Sequence, residues 1–308
     1  MQISEREKLL NDLNFVVEKF RMGKIQKMFK YPIWTVRTSF VSRFLHNLLK
    51  DRVRFFSTVK LFFCENMYLS YPPNYDIRFY SAYVSSDAEV RLTKFLIKNI
   101  KEGDTFFDIG AAQGYYTILV SKLVGNSGKV YSFEPDPFNL QVLMRNKRDN
   151  VFIIGKAVSD NVGESDFYSC VFPNLSSLNF GFIKNYPYQK VKVENITLDY
   201  FCQLEKVMAN FIKIDIEGGE EKALRGSMNL LRDSHPIILM EVWFKPFGES
   251  YKNAIEILLK NGFKMFSITD SGELDEIDDL IQYFTLLDEK YRAINDKSPC
   301  DNIVFMKL

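Results

Sequence analysis

Hydrophobic positions change their spacing along the chain, and this change separates an N-terminal part from a longer C-terminal part. Between Leu9 and Phe20 they recur every three or four residues, as they do between Phe40 and Leu49, which predicts helices. From Thr105 onward, short apolar runs alternate with helical patterns. The predicted strands are 105–109, 129–134, 151–155, 210–215, 236–242, 263–269 and 302–306, and the predicted helices are 114–124, 136–148, 219–232 and 250–261. This alternation favours an α/β fold whose mostly parallel sheet carries helices on both faces.

A hairpin and a helix are predicted between these two parts. The hairpin is expected in "KLFFCENMYLSY" with Glu65 and Asn66 at the turn, and an amphipathic helix follows and ends at Gly103. Within the main domain, "SDFYSC" and "QKVKVENITL" predict extra strands. The predicted regions are a helical basic extension at 1–60, a lead-in segment at 61–103, and the main domain at 104–308 with an acidic insertion at 270–298.

Charge is distributed unevenly, although the formal net charge is only +1. Residues 21–60 contain ten Lys or Arg side chains, interleaved with aromatic residues, against the single acid Asp51. This composition predicts contact with an anionic surface such as a membrane, a lipid-linked glycan or nucleic acid, or else an ordinary helical cap. Residues 270–289 contain eight acids and no basic residue. They are expected to face the basic region or to form a solvated loop.

The cysteines and the hydropathy indicate the compartment. Four cysteines lie far apart without a CxxC pair, which predicts reduced, packed thiols and no zinc site. The charged segment "MQISEREKLLNDL" is unlike a secretory signal, and no run approaches the roughly 18 apolar residues of a membrane span. We expect a cytoplasmic protein, with peripheral membrane association as the alternative; the oligomeric state is left open.

A first candidate ligand site lies in "TFFDIGAAQGYYT". An apolar strand there delivers Asp108, then Gly110 and Gly114, before a helical pattern begins. In open α/β folds, ligands bind at such carboxyl ends of strands. The next predicted strand ends at Glu134, 26 residues later. A carboxylate at that position accepts hydrogen bonds from both ribose hydroxyls of an adenosine.

The glycine spacing discriminates between adenosine-containing cofactors. In a dinucleotide fingerprint G-x-G-x-x-G that starts at Gly110, the later glycines would fall on Ala112 and Tyr115. The loop is D-x-G-x-x-x-G instead, and Asp108 would repel a pyrophosphate. A carboxylate suits the ammonium group of a methionine moiety, so the residues favour S-adenosylmethionine. In the alternative interpretation the two acids are surface carboxylates and the glycines only turn the chain.

Three motifs resemble one known family. "FFDIGAAQGYYT", "SFEPDP" and "FIKIDIEGGEEKALRG" resemble the FkbM-type S-adenosylmethionine-dependent methyltransferases over roughly residues 100–243, and "NLSSL" and "NITLDYF" are similar to further family segments. The resemblance implies a class I methyltransferase (Rossmann-like) fold of seven strands, with "NIVFMKL" as a final antiparallel strand. It also implies O-methylation, often of sugars or other natural products. Ala112 departs from the Asn or His that the family often has, so a side-chain contact to the cofactor is expected to be missing.

The cofactor is expected to bind at the carboxyl ends of the first two strands of the main domain. Ala157 and Val158, at the end of the third predicted strand, are expected to border the adenine. The full set of predicted cofactor-binding residues is Asp108, Gly110, Gln113, Gly114, Tyr116, Glu134, Pro135, Ala157 and Val158.

Several carboxylates are predicted near the methyl donor. Asp215 is expected beside the cofactor and Glu217 beside the acceptor as a general base. In the alternative, Glu217 and Glu220 only cap the following helix. A metal held by Asp215, Glu217 and Glu241 is conceivable, but no spacing requires it, so no metal is predicted. The two histidines, His46 and His235, are expected to be structural.

The resulting hypothesis is an S-adenosylmethionine-dependent methyltransferase that methylates a hydroxyl of a sugar, glycolipid or related metabolite. Its predicted partner is a small-molecule or glycan acceptor, and nucleic acid is disfavoured. One alternative is a nucleic-acid methyltransferase that uses the basic region as its acceptor surface. The other is a non-catalytic module that only binds the cofactor or acts as a scaffold.

Overall fold

A computed structural model gives the fold of residues 3–22, 24–30, 55–71, 86–170, 175–243, 248–293 and 300–308. The strands are β1 (Phe55–Lys60), β2 (Asn66–Tyr71), β3 (Thr105–Ile109), β4 (Lys129–Phe133), β5 (Val151–Ile154), β6 (Ala157–Val158), β7 (Gly163–Cys170), β8 (Tyr188–Ile196), β9 (Phe211–Ile214), β10 (Ile237–Trp243), β11 (Lys264–Ile268), β12 (Leu274–Glu276) and β13 (Cys300–Met306). The helices are α1 (Ile3–Arg21), α2 (Lys24–Lys30), α3 (Asp87–Asn99), α4 (Tyr115–Val124), α5 (Pro137–Arg145), α6 (Phe180–Ile183), α7 (Leu198–Glu205), α8 (Glu220–Arg225), α9 (Met228–Asp233), α10 (Gly248–Lys260) and α11 (Leu280–Ala293).

The main sheet has eight strands in the order β12-β11-β13-β10-β9-β3-β4-β5. The five strands β10, β9, β3, β4 and β5 are parallel to one another, and β13 runs antiparallel between β10 and β11. The predicted fold class is therefore confirmed, including the final antiparallel strand. The predicted strand number was seven, and the eighth strand arises because Leu274–Glu276 pairs with β11.

Alternating side chains divide the hydrophobic core between the two faces of the sheet. Phe106 belongs to a cluster with α1, the hairpin, α3 and α4. Phe107 belongs to a cluster on the other face with α7, α8, α9, α10 and α11. This period-two alternation is expected of strands that are covered on both sides. The predicted helix at 219–232 is divided into α8 and α9, because the carbonyl of Gly226 accepts a hydrogen bond from Asp199 N–H instead of continuing the helix.

The N-terminal part packs on the core. Leu9, Leu13 and Val17 of α1 are buried, and the Arg6 guanidinium donates to the carbonyls of Ile97 and Ile100 at the end of α3. The predicted hairpin forms, with β1 antiparallel to β2, but its turn covers Leu61 to Glu65 instead of Glu65 and Asn66, because Lys60 pairs with Asn66. Its first strand, Phe55–Lys60, corrects the prediction of helix throughout residues 1–60.

Two predictions about charge meet different outcomes. The central part of the basic region, 31–54, lies outside the described residues, so its contact with an anionic surface stays a prediction. The acidic segment faces α3, where Lys98 pairs with Glu273 at 2.5 Å and Lys94 donates to the carbonyl of Asp270 at 2.8 Å. Within the described residues the segment is not a solvated loop, because β12 pairs with β11 and Phe284 and Leu287 of α11 are buried in the core.

A second sheet of three strands, in the order β6-β8-β7, contains the two predicted extra strands. Leu175, Ser176 and Leu178 line one cavity together with Ala157 and Val158 of β6. A bridge between Tyr168 and Ser177 attaches residues 175–178 to the small sheet. The small sheet therefore forms one wall of the site.

Among the described helices, none is long and apolar enough to cross a membrane.

Candidate functional site

A cavity of about 290 Å³ opens at the carboxyl ends of β3, β4, β9 and β10. From β3 the chain continues outward to β4 and β5, and later returns to the other side of β3 as β9 and β10. Such a reversal of strand order is where open α/β sheets bind ligands. The cavity is lined by every predicted site residue: Asp108, Gly110, Gln113, Gly114, Tyr116, Glu134, Pro135, Ala157, Val158, Asp215 and Glu217. The role of each residue in binding or catalysis stays a prediction. The contacts of each side chain are described below.

The loop after β3 needs its two glycines for steric reasons. Gly110 has φ of +84°, and a Cβ there would lie 1.9 Å from the carbonyl oxygen of Asp215. Gly114 has φ of +97°, and a Cβ there would lie 2.6 Å from Cδ1 of Leu143. Left-handed backbone and close approach both favour glycine. Gly110 thereby allows the loop to meet the chain that leaves β9.

Asp108 presents an unsatisfied oxygen at the end of β3. Its side chain is 1% exposed, and Oδ2 accepts a hydrogen bond from Oγ1 of Thr117 at 2.7 Å. Oδ1 is buried and has no hydrogen-bond partner among the described residues. Burial raises the pKa of the Asp108 carboxyl. Since a buried unpaired acceptor is destabilising, a cationic ligand group would be bound favourably here.

Glu134 is held by backbone groups at the end of β4. Its Oε2 accepts from the N–H of Ala112 at 2.7 Å, and its Oε1 accepts from the N–H of Asp136 at 2.8 Å. Burial, with the nearby Asp136 carboxylate, raises the pKa of Glu134 well above its usual value. The carboxylate therefore joins the two loops of the cavity, and with a further hydrogen bond from the Asn139 side chain it keeps acceptor capacity for a ligand hydroxyl.

Two predicted cofactor-binding side chains mainly support the fold. The amide of Gln113 donates to the carbonyl of Ser70 at 2.7 Å and accepts from its N–H at 3.0 Å, which attaches β2 to the loop. The Tyr116 hydroxyl donates to the carboxylate of Glu89 on α3. Both residues border the cavity. Their polar atoms, however, are already paired inside the protein.

Ala157 and Val158 border the cavity from an unexpected element. They were predicted at the end of the third strand, but β5 ends at Ile154 and the two residues form β6, which pairs with β8. The small sheet thus replaces the predicted strand end at this wall. Pro135 lines the cavity directly after Glu134.

Lys213 is an unpredicted cation at the centre of the site. It lies on β9 opposite Asp108 of β3, is 2% exposed, and donates from Nζ to Oδ2 of Asp215 at 2.8 Å. Nζ also lies 4.9 Å from the ring centroid of Tyr116, which is cation–π geometry. Burial alone would lower the Lys213 pKa, but the carboxylates of Asp215, Asp108 and Glu89 raise it above its usual value.

Three carboxylates converge at the ends of β9 and β10. One carboxylate oxygen from each of Asp215, Glu217 and Glu241 lies within 4.8 Å of the others. Glu217 is 8% exposed, and its buried Oε2 has no hydrogen-bond partner within the described part of the chain. Oε2 of Glu241 accepts from Nε1 of Trp243 at 2.8 Å. Burial and the facing carboxylates raise the pKa values of Glu217 and Glu241 well above the usual range.

Glu220 caps the following helix, as the alternative interpretation predicted for both Glu217 and Glu220. It is fully buried, and its Oε1 accepts from the N–H groups of Ile216 at 3.3 Å and Gly218 at 3.2 Å. Burial raises the pKa of Glu220 to about 7. Glu217 instead lies with Asp215 and Glu241, and its backbone carbonyl accepts from the Ser177 hydroxyl at 2.7 Å.

His235 lies away from the cavity. His235 is exposed just before β10, at the amino end of that strand and thus opposite the cavity. His46 lies outside the described residues.

Sequence reasoning missed Lys213 and Glu89. A lysine inside the buried run "FIKI" was the available signal, because a charge in the middle of a buried strand needs a buried partner. Glu89 is 8% exposed and lines the cavity, yet it follows Ser86 by three residues, and Ser86 Oγ accepts from its N–H. That spacing is typical of a helix N-terminus, so the sequence gives Glu89 a capping role and no sign that it lines the site.

The residues present fit S-adenosylmethionine. The cofactor carries a sulfonium and an ammonium group, and the cavity offers the unpaired oxygen of Asp108 and further carboxylates. Gly110 and Gly114 leave the backbone accessible, and Glu134 has the position expected for ribose recognition. When bound, the cofactor supplies an electrophilic methyl group.

Comparison with known proteins gives one family match and several distant similarities. The family model for the methyltransferase FkbM domain matches residues 108–265, a little over half of the chain. A probable cobalt-precorrin-6B C(15)-methyltransferase (decarboxylating) from Saccharolobus solfataricus is 25% identical over 194 residues, which cover 60% of this chain and 77% of that protein.

Two solved structures illustrate the structural similarity. Methyltransferase FkbM from Methylobacillus flagellatus KT is 17% identical with a TM-score of 0.39, and the match covers 56% of this chain but only 42% of that one. Aeropyrum pernix fibrillarin, solved with natively bound S-adenosyl-L-methionine, is 16% identical with a TM-score of 0.39, and the match covers 70% and 74% of the two chains. On the family match, the chain belongs to the methyltransferase FkbM domain family, and its cofactor is S-adenosylmethionine.

Proposed function

We propose that this methyltransferase transfers the methyl group of S-adenosylmethionine to a hydroxyl group of a sugar, glycolipid or related metabolite. The observation that carries the proposal is the convergence of Asp215, Glu217 and Glu241 in the same cavity as the cofactor loop. A hydroxyl is a poor nucleophile until its proton is removed, and a carboxylate positioned beside it accelerates that removal.

The proposed roles follow from the contacts of each acid. Glu217 accepts the hydroxyl proton, the oxygen forms a bond to the methyl carbon, and the carbon–sulfur bond breaks to leave S-adenosylhomocysteine. The raised pKa of Glu217 suits a base that must accept a proton near neutral pH. Asp215, oriented by Lys213, lies on the cofactor side and stabilises the sulfonium group. Alignment of oxygen, methyl carbon and sulfur supplies the remaining acceleration.

The charge of the cavity supports a neutral acceptor. Lys156 and Lys213, the basic residues among the described lining, pair with Glu194 and Asp215, so they are not free to bind the phosphates of a nucleic acid, whereas a glycan hydroxyl carries no charge. The two alternatives are a methyltransferase that acts on nucleic acid and a non-catalytic module that only binds the cofactor. The experiment below distinguishes both from the proposed function.

Transfer of labelled methyl groups tests the proposal. The purified protein is incubated with methyl-tritiated S-adenosylmethionine and an extract of the source cells, and the products are separated into glycan, lipid, nucleic-acid and small-molecule fractions. We expect base-stable label, as in a methyl ether, in the glycan, glycolipid or small-molecule fraction. Glu217→Gln should abolish most of this label, and Glu221→Gln, which changes an acid paired with Arg225 and Asn253, should retain it. Label in nucleic acid, or no label, would contradict the proposal.

A further inference from the structure

We infer that Asp215, Glu217 and Glu241 bind one hard divalent cation such as Mg²⁺, Mn²⁺ or Ca²⁺. The three ligand oxygens lie within 4.8 Å of one another. Oxygens that share one such ion at about 2.1–2.4 Å lie at most about 4.2–4.8 Å apart, so this spacing suits a common ion. A donor set made only of carboxylate oxygens favours Mg²⁺, Ca²⁺ or Mn²⁺ over Zn²⁺ or Cu²⁺.

The side chain of Glu217 points independently to a ligand at this position. It is more than nine-tenths buried, and its Oε2 is inaccessible and lacks a hydrogen-bond partner in the part of the chain that the structure describes. Buried carboxylate oxygens are normally paired, because burial removes their hydration. Asp215 and Glu241 each use one oxygen internally, toward Lys213 and Trp243, which fixes these side chains while their second oxygens stay available.

Lys213 supplies only part of the positive charge that this cluster needs, because Asp108 and Glu89 share its ammonium group with Asp215. Its Nζ forms a salt bridge with Asp215 alone, and no basic side chain of the described ranges forms one with Glu217 or Glu241. Glu217 and Glu241 thus face each other and Asp215 with no ion-pair partner of their own among the described residues, and only the more distant charge of Lys213 acts on them. A divalent ion would provide the missing charge at the point where the three side chains meet.

The role of the cation in catalysis rests on the proposed function. Three protein oxygens leave about three positions of an octahedral ion for water or substrate. An acceptor hydroxyl in one of these positions would be held toward the methyl donor, and the ion would stabilise its negative charge while the proton passes to the Glu217 oxygen that does not bind the ion. Ion binding itself needs neither acceptor nor turnover.

Electron paramagnetic resonance of free Mn²⁺ tests the site directly. When the wild-type protein is added to Mn²⁺, the signal of the free ion should decrease until one Mn²⁺ is bound per chain. Mg²⁺ or Ca²⁺ should compete with Mn²⁺ and restore the signal. Even outer-shell substitutions at metal sites typically cost about 10–100-fold in affinity, so Glu217→Gln and Glu241→Gln should each weaken binding about tenfold or more. Glu221→Gln is the matched control and should bind as the wild type does, because its carboxylate pairs with Arg225 outside the cluster. Failure of the wild type to bind Mn²⁺ at millimolar concentration, or wild-type affinity in both cluster variants, would overturn the inference.

Terbium luminescence locates the ion without changing any ligand. Tb³⁺ substitutes for Ca²⁺ at oxygen sites, and the indole of Trp243 lies against Glu241, so excitation of tryptophan should produce sensitised Tb³⁺ emission. The chain has two tryptophans, and the emission should persist in Trp34→Phe, which retains Trp243. Its absence in that variant would place the ion elsewhere and overturn the assignment, even if cluster variants fail to fold.

The two proposals fail in different ways. Methyl transfer to a hydroxyl without Mn²⁺ binding, and with full activity in a chelator, would refute the cation site and leave the proposed function standing. Mn²⁺ binding at the cluster without any labelled methyl ether would refute the proposed function and leave the cation site standing.

Discussion

The two ends of the cavity hold their carboxylates in different ways. At the β3–β4 end, both oxygens of Glu134 accept backbone N–H groups, from Ala112 and Asp136. At the β9–β10 end, Glu217 and Glu241 face other carboxylates, and Lys213 is paired only with Asp215. The comparison shows that an acid with backbone partners fixes the shape of a loop. An acid that lacks them remains available for a proton or a cation.

The two ends differ because the loops after the strands offer different numbers of free backbone N–H groups to these carboxylates. The loops after β3 and β4 turn N–H groups toward Glu134, because Ala112 adopts φ of +47° and Asp136 begins the turn into α5. After β9, the available N–H groups of Ile216 and Gly218 are taken by Glu220. Glu217 therefore has no backbone donor, although it is buried to a similar degree as Glu134.

The largest effect is expected from Glu217→Gln. Loss of a general base typically lowers the rate by about 10²–10⁴-fold, because the hydroxyl proton is no longer removed in the transition state. The measurement is the initial rate of label transfer to the identified acceptor, with cofactor affinity followed by calorimetry. Glu221→Gln serves as the control. A rate within the wild-type range for Glu217→Gln would remove the distinction between the two ends of the cavity.

Lys213→Met should strongly lower the free energy of unfolding. Removing one partner of a buried ion pair costs about 3–5 kcal/mol, and here it leaves Asp215 beside Asp108 and Glu89 without their shared cation. Urea denaturation measures the change. The control is Lys264→Met, which breaks the exposed pair with Glu276 and should cost at most about 1 kcal/mol. Equal effects of the two substitutions would show that the ammonium does not hold the cluster.

Glu134→Ala should weaken S-adenosylmethionine binding to a smaller extent. A hydrogen bond to a charged group contributes about 1.5–3 kcal/mol, which corresponds to about 10–150-fold in affinity. Isothermal calorimetry measures the change, and Glu164→Ala, at an exposed acid of β7, is the control. Unchanged affinity would mean that Glu134 only shapes the loops and that the ribose binds elsewhere.

The smallest effect is expected from Ala112→Asn. Left-handed backbone costs an ordinary residue about 1–2 kcal/mol, and asparagine tolerates it better, so the free energy of unfolding should rise by up to about 1 kcal/mol. Thermal and urea denaturation measure this gain. A decrease would indicate that the cavity wall has no room for the amide.

The sequence determined the sheet and most of the cavity lining, because these depend on local pattern. Short continuous apolar runs placed the strands, and each strand end followed by glycine or an acid marked a loop at the same edge. The added β12 and the separate β6 were not predicted, because two- or three-residue strands carry no periodicity and form only where a neighbour offers a free edge.

Only the tertiary structure decided which polar residues are used by the fold and which by the site. Gln113 is taken by the backbone of Ser70, a partner 43 residues away that no local pattern reveals, and only the structure selects for Glu220 the capping role that the sequence left open. Lys213 and Glu89 enter the site from β9 and α3, which are far apart in sequence. Their importance comes from burial beside opposite charge, a property of packed elements and not of spacing along the chain.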